Sequence, residues 1–198
     1  MAGIALTLQT PVLSEHTGFD KGDNYYFYDA FSGQSPLLYQ NLISSAEQRI
    51  IIWDPFFMEN YDFDLFCNVQ KEGIDIFILT AYKRNGSQNK DSLERFKNNI
   101  LKALGNHVLP SKVIICSVKL NYKNQYLTTV CHDRFLFVDD RVYLIGASMN
   151  NQISSKESFG ILEVINEADK SLIIKKFNEY KNRVISGGHL ADKTSYIR

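Results

Sequence analysis

The run Arg49-Ile50-Ile51-Ile52-Trp53 is apolar from Ile50 onward and stops at Asp54-Pro55. Side chains of an extended segment alternate between two faces, so a run apolar on both needs cover on both. It belongs at the centre of a sheet with layers above and below. The chain supplies further strands at Asn24–Asp29, Ile74–Leu79, Val113–Leu120, Phe135–Val138, Val142–Ile145 and Phe159–Ile165, each β-branched or aromatic.

Helical patterns fall between them. Ser35-Pro36 has the form of an N-cap followed by proline, and Leu37, Leu38, Leu42 and Ala46 make a stripe ending near Ala46. A short helical pattern covers Phe63–Val69 before Gly73. Asp91 caps a helix with Leu93, Phe96, Ile100, Leu101 and Leu104 on one face, closed by Gly105. A last helix starts near Ala168, with Leu172, Ile173, Phe177, Tyr180 and Val184 inward, and ends at Gly187-Gly188. Strands alternating with helices and ending in a hairpin predict an α/β fold: a mixed β-sheet with helices on both faces, an α/β/α sandwich. At 198 residues and 44% hydrophobic, one domain with one substantial core is expected. Residues 1–23 read as an irregular N-terminal arm, 24–185 as the folded domain and 186–198 as a C-terminal tail.

Chemistry concentrates between Cys131 and Asn150. Phe135–Val138 and Val142–Ile145 form a hairpin around the polar turn Asp139-Asp140-Arg141. His132 and Arg134 are two apart, so in an extended segment they share a face while Asp133 takes the other. Gly146 lets the chain turn sharply, bringing Ser148 and Asn150 back toward the strand ends. An imidazole that attacks phosphorus, a guanidinium that grips two oxygens and two neutral donors suit a phosphate. The plainer alternative is that His132 caps a strand and Arg134 pairs with Asp133 or Asp139.

This spacing resembles the phospholipase D superfamily, whose signature is H-x-K, four residues, D, six residues, then G-S-x-N. His132, Asp139 and Gly146 fall at the family spacing. Arg134 stands where the family has lysine, and Gly146-Ala147-Ser148-Met149-Asn150 is one residue longer than G-S-x-N. The likeness extends over one repeat, residues 24–185, with no second motif and no internal repeat; His16, His107 and His189 lack the surrounding pattern. In the family two motifs meet across a twofold axis, one histidine attacking phosphorus and the other protonating the leaving oxygen. One motif per chain therefore implies a homodimer with His132 from each subunit on a shared groove, and neither metal nor cofactor. By the same resemblance His132 and Arg134 are the catalytic candidates with Asp139 framing them, Arg134, Ser148 and Asn150 bind the substrate phosphate, and Glu157 orients the histidine, with Glu163 as a second candidate.

Three function classes follow: a metal-independent nuclease, a phospholipid hydrolase or transferase, and a non-catalytic relative that binds nucleic acid or serves as a subunit. The charge distribution favours a nucleic-acid partner. Net charge is zero, yet residues 1–75 hold three Lys/Arg against eleven Asp/Glu and residues 76–198 nineteen against eleven. Two solvated faces attracting each other is the alternative reading. The sequence shows no bilayer-spanning apolar run, no amphipathic membrane helix and no signal peptide, so a cytoplasmic protein without stable membrane association is expected. Cys67, Cys116 and Cys131 lack metal or disulfide spacing and read as core thiols. Small bacterial proteins resembling this one are often tied to restriction or phage defence, which extends the implied partners to a larger defence complex.

Overall fold

A computed structural model describes residues 19–21, 23–28, 38–55, 57, 63–82, 90–105, 108–119, 133–146, 159–186 and 190–197. Their strands are β1 (Phe19–Lys21), β2 (Tyr25–Tyr28), β3 (Arg49–Trp53), β4 (Asp75–Tyr82), β5 (Lys112–Lys119), β6 (Arg134–Val138), β7 (Arg141–Ile145), β8 (Phe159–Glu163) and β9 (Leu190–Ile197). They form one sheet in the order β1-β2-β8-β7-β6-β3-β4-β5-β9. β3, β4 and β5 run parallel, while β6 lies antiparallel against β3. The Ile50–Trp53 run is thus central, as its two apolar faces require.

Period-two alternation distributes the core over both faces. Ile50 and Ile52, Ile76 and Ile78, Val113 and Ile115, Leu136 and Val138 pack on one face against α1 (Leu38–Ser44), a 3-10 turn at Phe63–Phe66 and α2 (Lys90–Leu104). Trp53, Leu79, Cys116, Val118, Phe135, Phe137 and Val142 face the other way, onto Phe177 and Val184 of α3 (Glu167–Ser186). The layers are those of an α/β/α sandwich.

Local chemistry sets the helix limits. α2 buries Leu93, Phe96, Ile100 and Leu104, spaced three to four apart, and ends where Gly105 takes φ +74°. α3 is capped by Asn166, whose Oδ1 accepts the N–H groups of Ala168 (2.9 Å) and Asp169 (3.1 Å). Leu172, expected inward, is 53% exposed: the apolar face of α3 is carried by Ile173, Phe177, Tyr180 and Val184 instead.

Two terminal expectations change. Leu190–Ile197, read as tail, form β9 and pair antiparallel with β5 from Lys112↔Ile197 to Val118↔Leu190. Phe19–Lys21, read as part of an irregular arm, pair with β2. Both segments are edge strands, stabilised by the backbone ladder, which the hydrophobic pattern of their own sequence does not announce. Of the cysteines, Cys116 is buried as expected but Cys67 is exposed, and Cys131 lies outside the described residues. No described helix is long and apolar enough to cross a membrane.

Candidate active site

The motif hairpin folds as its sequence requires. β6 and β7 pair from Arg134↔Ile145 to Val138↔Arg141, leaving Asp139-Asp140 as the two-residue turn with Asp139 at φ +53°, a conformation that aspartate tolerates better than most residues. Because β6 runs antiparallel to β3 with Trp53↔Phe135, the start of β6 lies at the carboxyl end of β3. The end of β7 and the start of β8 share that edge, where Gly146 N–H donates to Gly160 O at 2.8 Å. In open α/β sheets the carboxyl ends of parallel strands are the usual place for a ligand.

A change of polarity marks this edge. On the face covered by α1 and α2, the rung Ile115, Ile78, Ile52, Leu136 is apolar, and the next positions along the same strands are Ser117, Thr80, Asp54 and Arg134. Ser117, Thr80 and Asp54 are all buried. Arg134 Nε lies 3.8 Å from Asp54 Oδ1, and its Nη1 makes a long contact of 3.4 Å to Gly146 O. The plainer alternative gave Arg134 an ion pair with Asp133 or Asp139; the pair seen is with Asp54, because Asp54 follows Trp53 and so falls opposite Arg134 in the continued register. Sequence reasoning took Asp54-Pro55 only as a strand stop. The available signal was a carboxylate directly after a run bound for the sheet centre, where burial demands a cation.

Asp139 sits elsewhere. It lies at the other end of β6, five residues or about 16 Å from Arg134 along the strand. Its carboxylate accepts the backbone N–H groups of Glu47 (2.8 Å), Gln48 (2.8 Å) and Arg49 (2.9 Å). Partial burial pushes its pKa upward, but these hydrogen bonds and the nearby Arg141 charge outweigh that and hold it below the ordinary aspartate value. Asp139 ties the hairpin to the turn before β3, at the end of β6 opposite Arg134. Glu163 closes β8 at the same far side, opposite Tyr143, where its charge raises the pKa of Tyr26 and Tyr143 behind the larger effect of their burial. His132, Ser148, Asn150 and Glu157 lie outside the described residues. Lys119 is the last residue of β5, at the motif edge.

A family model described as "Cardiolipin synthase, PLD-like domain" matches residues 39–185, which include the hairpin, the central strands and nearly all of α1, α2 and α3. The chain belongs to the phospholipase D superfamily. Among solved structures, this phospholipase D-like chain is similar to Nuc from Salmonella typhimurium, a phospholipase D family member, at 16% identity, covering 88% of this chain and 98% of that one with a TM-score of 0.49. It is similar to NucT from Helicobacter pylori at 17% identity, covering 84% and 96%, TM-score 0.46. It is also similar to TrmBL2, an archaeal chromatin protein described with a novel mode of DNA binding, at 16% identity and TM-score 0.44. There it covers 90% of this chain and spans 55% of the other's length. Among curated proteins none matches.

Within this phospholipase D-like domain, the described part of the motif edge can hold an anion through Arg134, whose side chain is 23% exposed. The Trp53 ring packs against Phe135 (5.5 Å), Phe177 (5.4 Å) and Tyr180 (5.2 Å), fixing the last rung of β3 just before Asp54. A cleft lined by Trp53, Pro55, Leu79, Thr80 and Tyr180 opens beside it.

Proposed function

We propose that this chain is a metal-independent phosphodiesterase acting on nucleic acid, working as a homodimer through a phosphohistidine. One subunit's His132 attacks phosphorus through an imidazole nitrogen; the partner copy's imidazole gives its proton to the departing oxygen, and water then cleaves the N–P bond to regenerate the first. Arg134 holds the phosphate oxygens, Ser148 and Asn150 complete the cradle, and Glu157 orients the histidine. The observation that carries the reading is the pairing Arg134↔Ile145, which joins the start of the H-x-R strand to the strand leading into Gly146 at the carboxyl edge of the parallel strands. The basic balance of residues 76–198 supports a polyanionic substrate. A defence or restriction complex and a cytoplasmic setting remain part of this proposal.

A second reading, a non-catalytic subunit that binds nucleic acid, is favoured by one observation. Arg134 faces the buried carboxylate of Asp54, which spends part of the guanidinium charge inside the protein. A nuclease assay in excess chelator separates the two. The phosphodiesterase reading expects cleavage of DNA or RNA that His132→Ala abolishes and Arg134→Lys retains or raises. Inactivity of every form on DNA, RNA and phosphodiester dyes, with nucleic-acid binding intact, establishes the second reading. Turnover of phospholipid vesicles alone overturns both. Light scattering tests the dimer, and a strict monomer at micromolar concentration with nucleic acid present overturns the shared site.

A further inference from the structure

Asp54 is completely buried, and a carboxylate taken from water requires opposite charge or hydrogen bonds to stay ionised. Arg134 stands on the adjacent strand with Nε 3.8 Å from Oδ1. The backbone beneath the carboxylate is pinned on several sides. Asp54 N–H donates to Leu79 O (3.1 Å), Phe57 N–H donates to Asp54 O (3.3 Å), and Pro55 O accepts from Ala81 N–H (3.1 Å) and the Thr80 hydroxyl (3.4 Å). Asp54 is short and rigidly mounted; Arg134 is long, rotatable and partly exposed. The rigid partner sets where the mobile one lies.

Burial keeps Asp54 from touching a substrate itself, and among the described residues Arg134 is the partly exposed cation that it meets at the motif edge. A lone guanidinium in a partly dry edge attracts a dianion about twice as strongly as a monoanion at equal distance. A fixed negative charge behind it repels the second charge of the dianion and removes that advantage.

We propose that Asp54 is a positioning and specificity residue of the phosphate site: it holds the Arg134 guanidinium at the sheet edge and offsets its charge, so that the site takes phosphodiester monoanions in preference to phosphomonoester dianions. This rests on the phosphate chemistry proposed above and adds which phosphate is taken. It also gives arginine a reason at the position where the family has lysine: the planar fork can face the carboxylate with one edge and an anion with the other.

The test compares bis(4-nitrophenyl) phosphate with 4-nitrophenyl phosphate at about pH 8, well above the second ionisation of a phosphomonoester at about 6. Binding is measured by competition and turnover by 4-nitrophenolate release. The wild type is expected to favour the diester. Asp54→Asn, equal in shape and uncharged, should shift the binding ratio toward the monoester by about tenfold, a size usual for directly coupled residues. Asp54→Glu keeps the charge but displaces it, so the ratio should hold while kcat falls more than KM rises. In an Arg134→Gln background the effect of Asp54→Asn on the ratio should vanish. An unchanged ratio in Asp54→Asn, or the same shift with and without Arg134, overturns the role of Asp54 and leaves the phosphodiesterase reading standing. A wild type that binds neither ester overturns the phosphate site and this inference together. Should Asp54→Asn fail to fold, Asp54→Glu decides: loss of diester preference with the charge retained overturns the proposal.

Discussion

Asp139 and Arg49 share three hydrogen bonds: the Arg49 backbone N–H donates to Asp139 Oδ1 at 2.9 Å, the Arg49 Nε donates to the Asp139 carbonyl at 3.1 Å, and the Asp139 N–H donates to the Arg49 carbonyl at 3.0 Å. With the N–H groups of Glu47 and Gln48 on the same carboxylate, one side chain fastens the motif hairpin to the entry of the central strand.

Removing that fastening should cost stability and leave the chemistry at the other edge in place. Asp139→Asn keeps the left-handed backbone accessible but has a single acceptor oxygen, so it should destabilise by about 1–2 kcal/mol in denaturant titration. The pH dependence has a definite sign. The folded pKa of Asp139 is depressed, so its contribution is complete above the unfolded value of about 3.9 and fades as pH falls through the lower folded value. Wild-type stability should therefore drop more steeply below about pH 4 than that of Asp139→Asn. Parallel pH curves for the two would refute the assignment.

Gly146 and Gly160 face each other where β7 and β8 leave the sheet. A Cβ on Gly146 would stand 3.0 Å from Gly160 O and 3.3 Å from Gly160 N, backbone atoms held by the 2.8 Å hydrogen bond between the same two residues. A Cβ on Gly160 would meet the Tyr25 hydroxyl at 1.9 Å, but that ring is 43% exposed and can rotate into solvent. Gly146→Ala should cost about 1–3 kcal/mol and also perturb phosphate binding, because the strain falls on the motif backbone. Gly160→Ala should cost less and spare binding. Thermal melts and ester competition on the two variants check the order.

What could be read from the sequence was whatever rests on periodicity and short-range chemistry. The Ile50–Trp53 run demanded a central strand, Gly105 closed α2, and the turn read at Asp139-Asp140-Arg141 holds at Asp139-Asp140 with Arg141 opening β7, since each depends on residues within a few positions. The phospholipase D family was legible in the His132, Asp139 and Gly146 spacing. Long-range pairings were not. Asp54 meets Arg134 across 80 positions of chain only because β6 runs antiparallel to β3, and β9 exists only because β5 offers it an open edge. Asp139 was legible as a hairpin residue: motif spacing gives its position along the chain, while the direction of β6 decides which end of the sheet receives it.

Tyr143 presents a different kind of test. Its hydroxyl is buried with no hydrogen-bond partner among the described residues, and burial drives its pKa far upward. A polar group buried without a partner carries an uncompensated desolvation cost. Tyr143→Phe should leave the fold intact and raise stability by about 1 kcal/mol. A loss of similar size in urea titration would reveal a hydrogen bond to this hydroxyl and reverse the expectation.

A polymer at the motif edge would meet two cations. Arg134 begins β6 there and Lys119 ends β5 there, within a region of the chain where nineteen Lys/Arg face eleven Asp/Glu. If these cations contact a nucleic-acid backbone, each neutralised phosphate releases condensed counterions. The logarithm of affinity must then fall linearly with the logarithm of salt, by roughly 0.7 per phosphate on single strands and 0.9 on duplexes. Sequence preference should be weak, because backbone contacts position the polymer without reading bases. Arg134→Gln should lower the slope by about one, one phosphate contact being lost. Asp54→Asn should leave the slope unchanged while raising affinity, since it alters the strength of that contact and not the number of contacts. Fluorescence titrations can use Trp53, the single tryptophan, which stands next to Asp54. A flat salt response on both single-stranded and duplex oligonucleotides would count against nucleic acid as the substrate and leave the small diester as the test of the site.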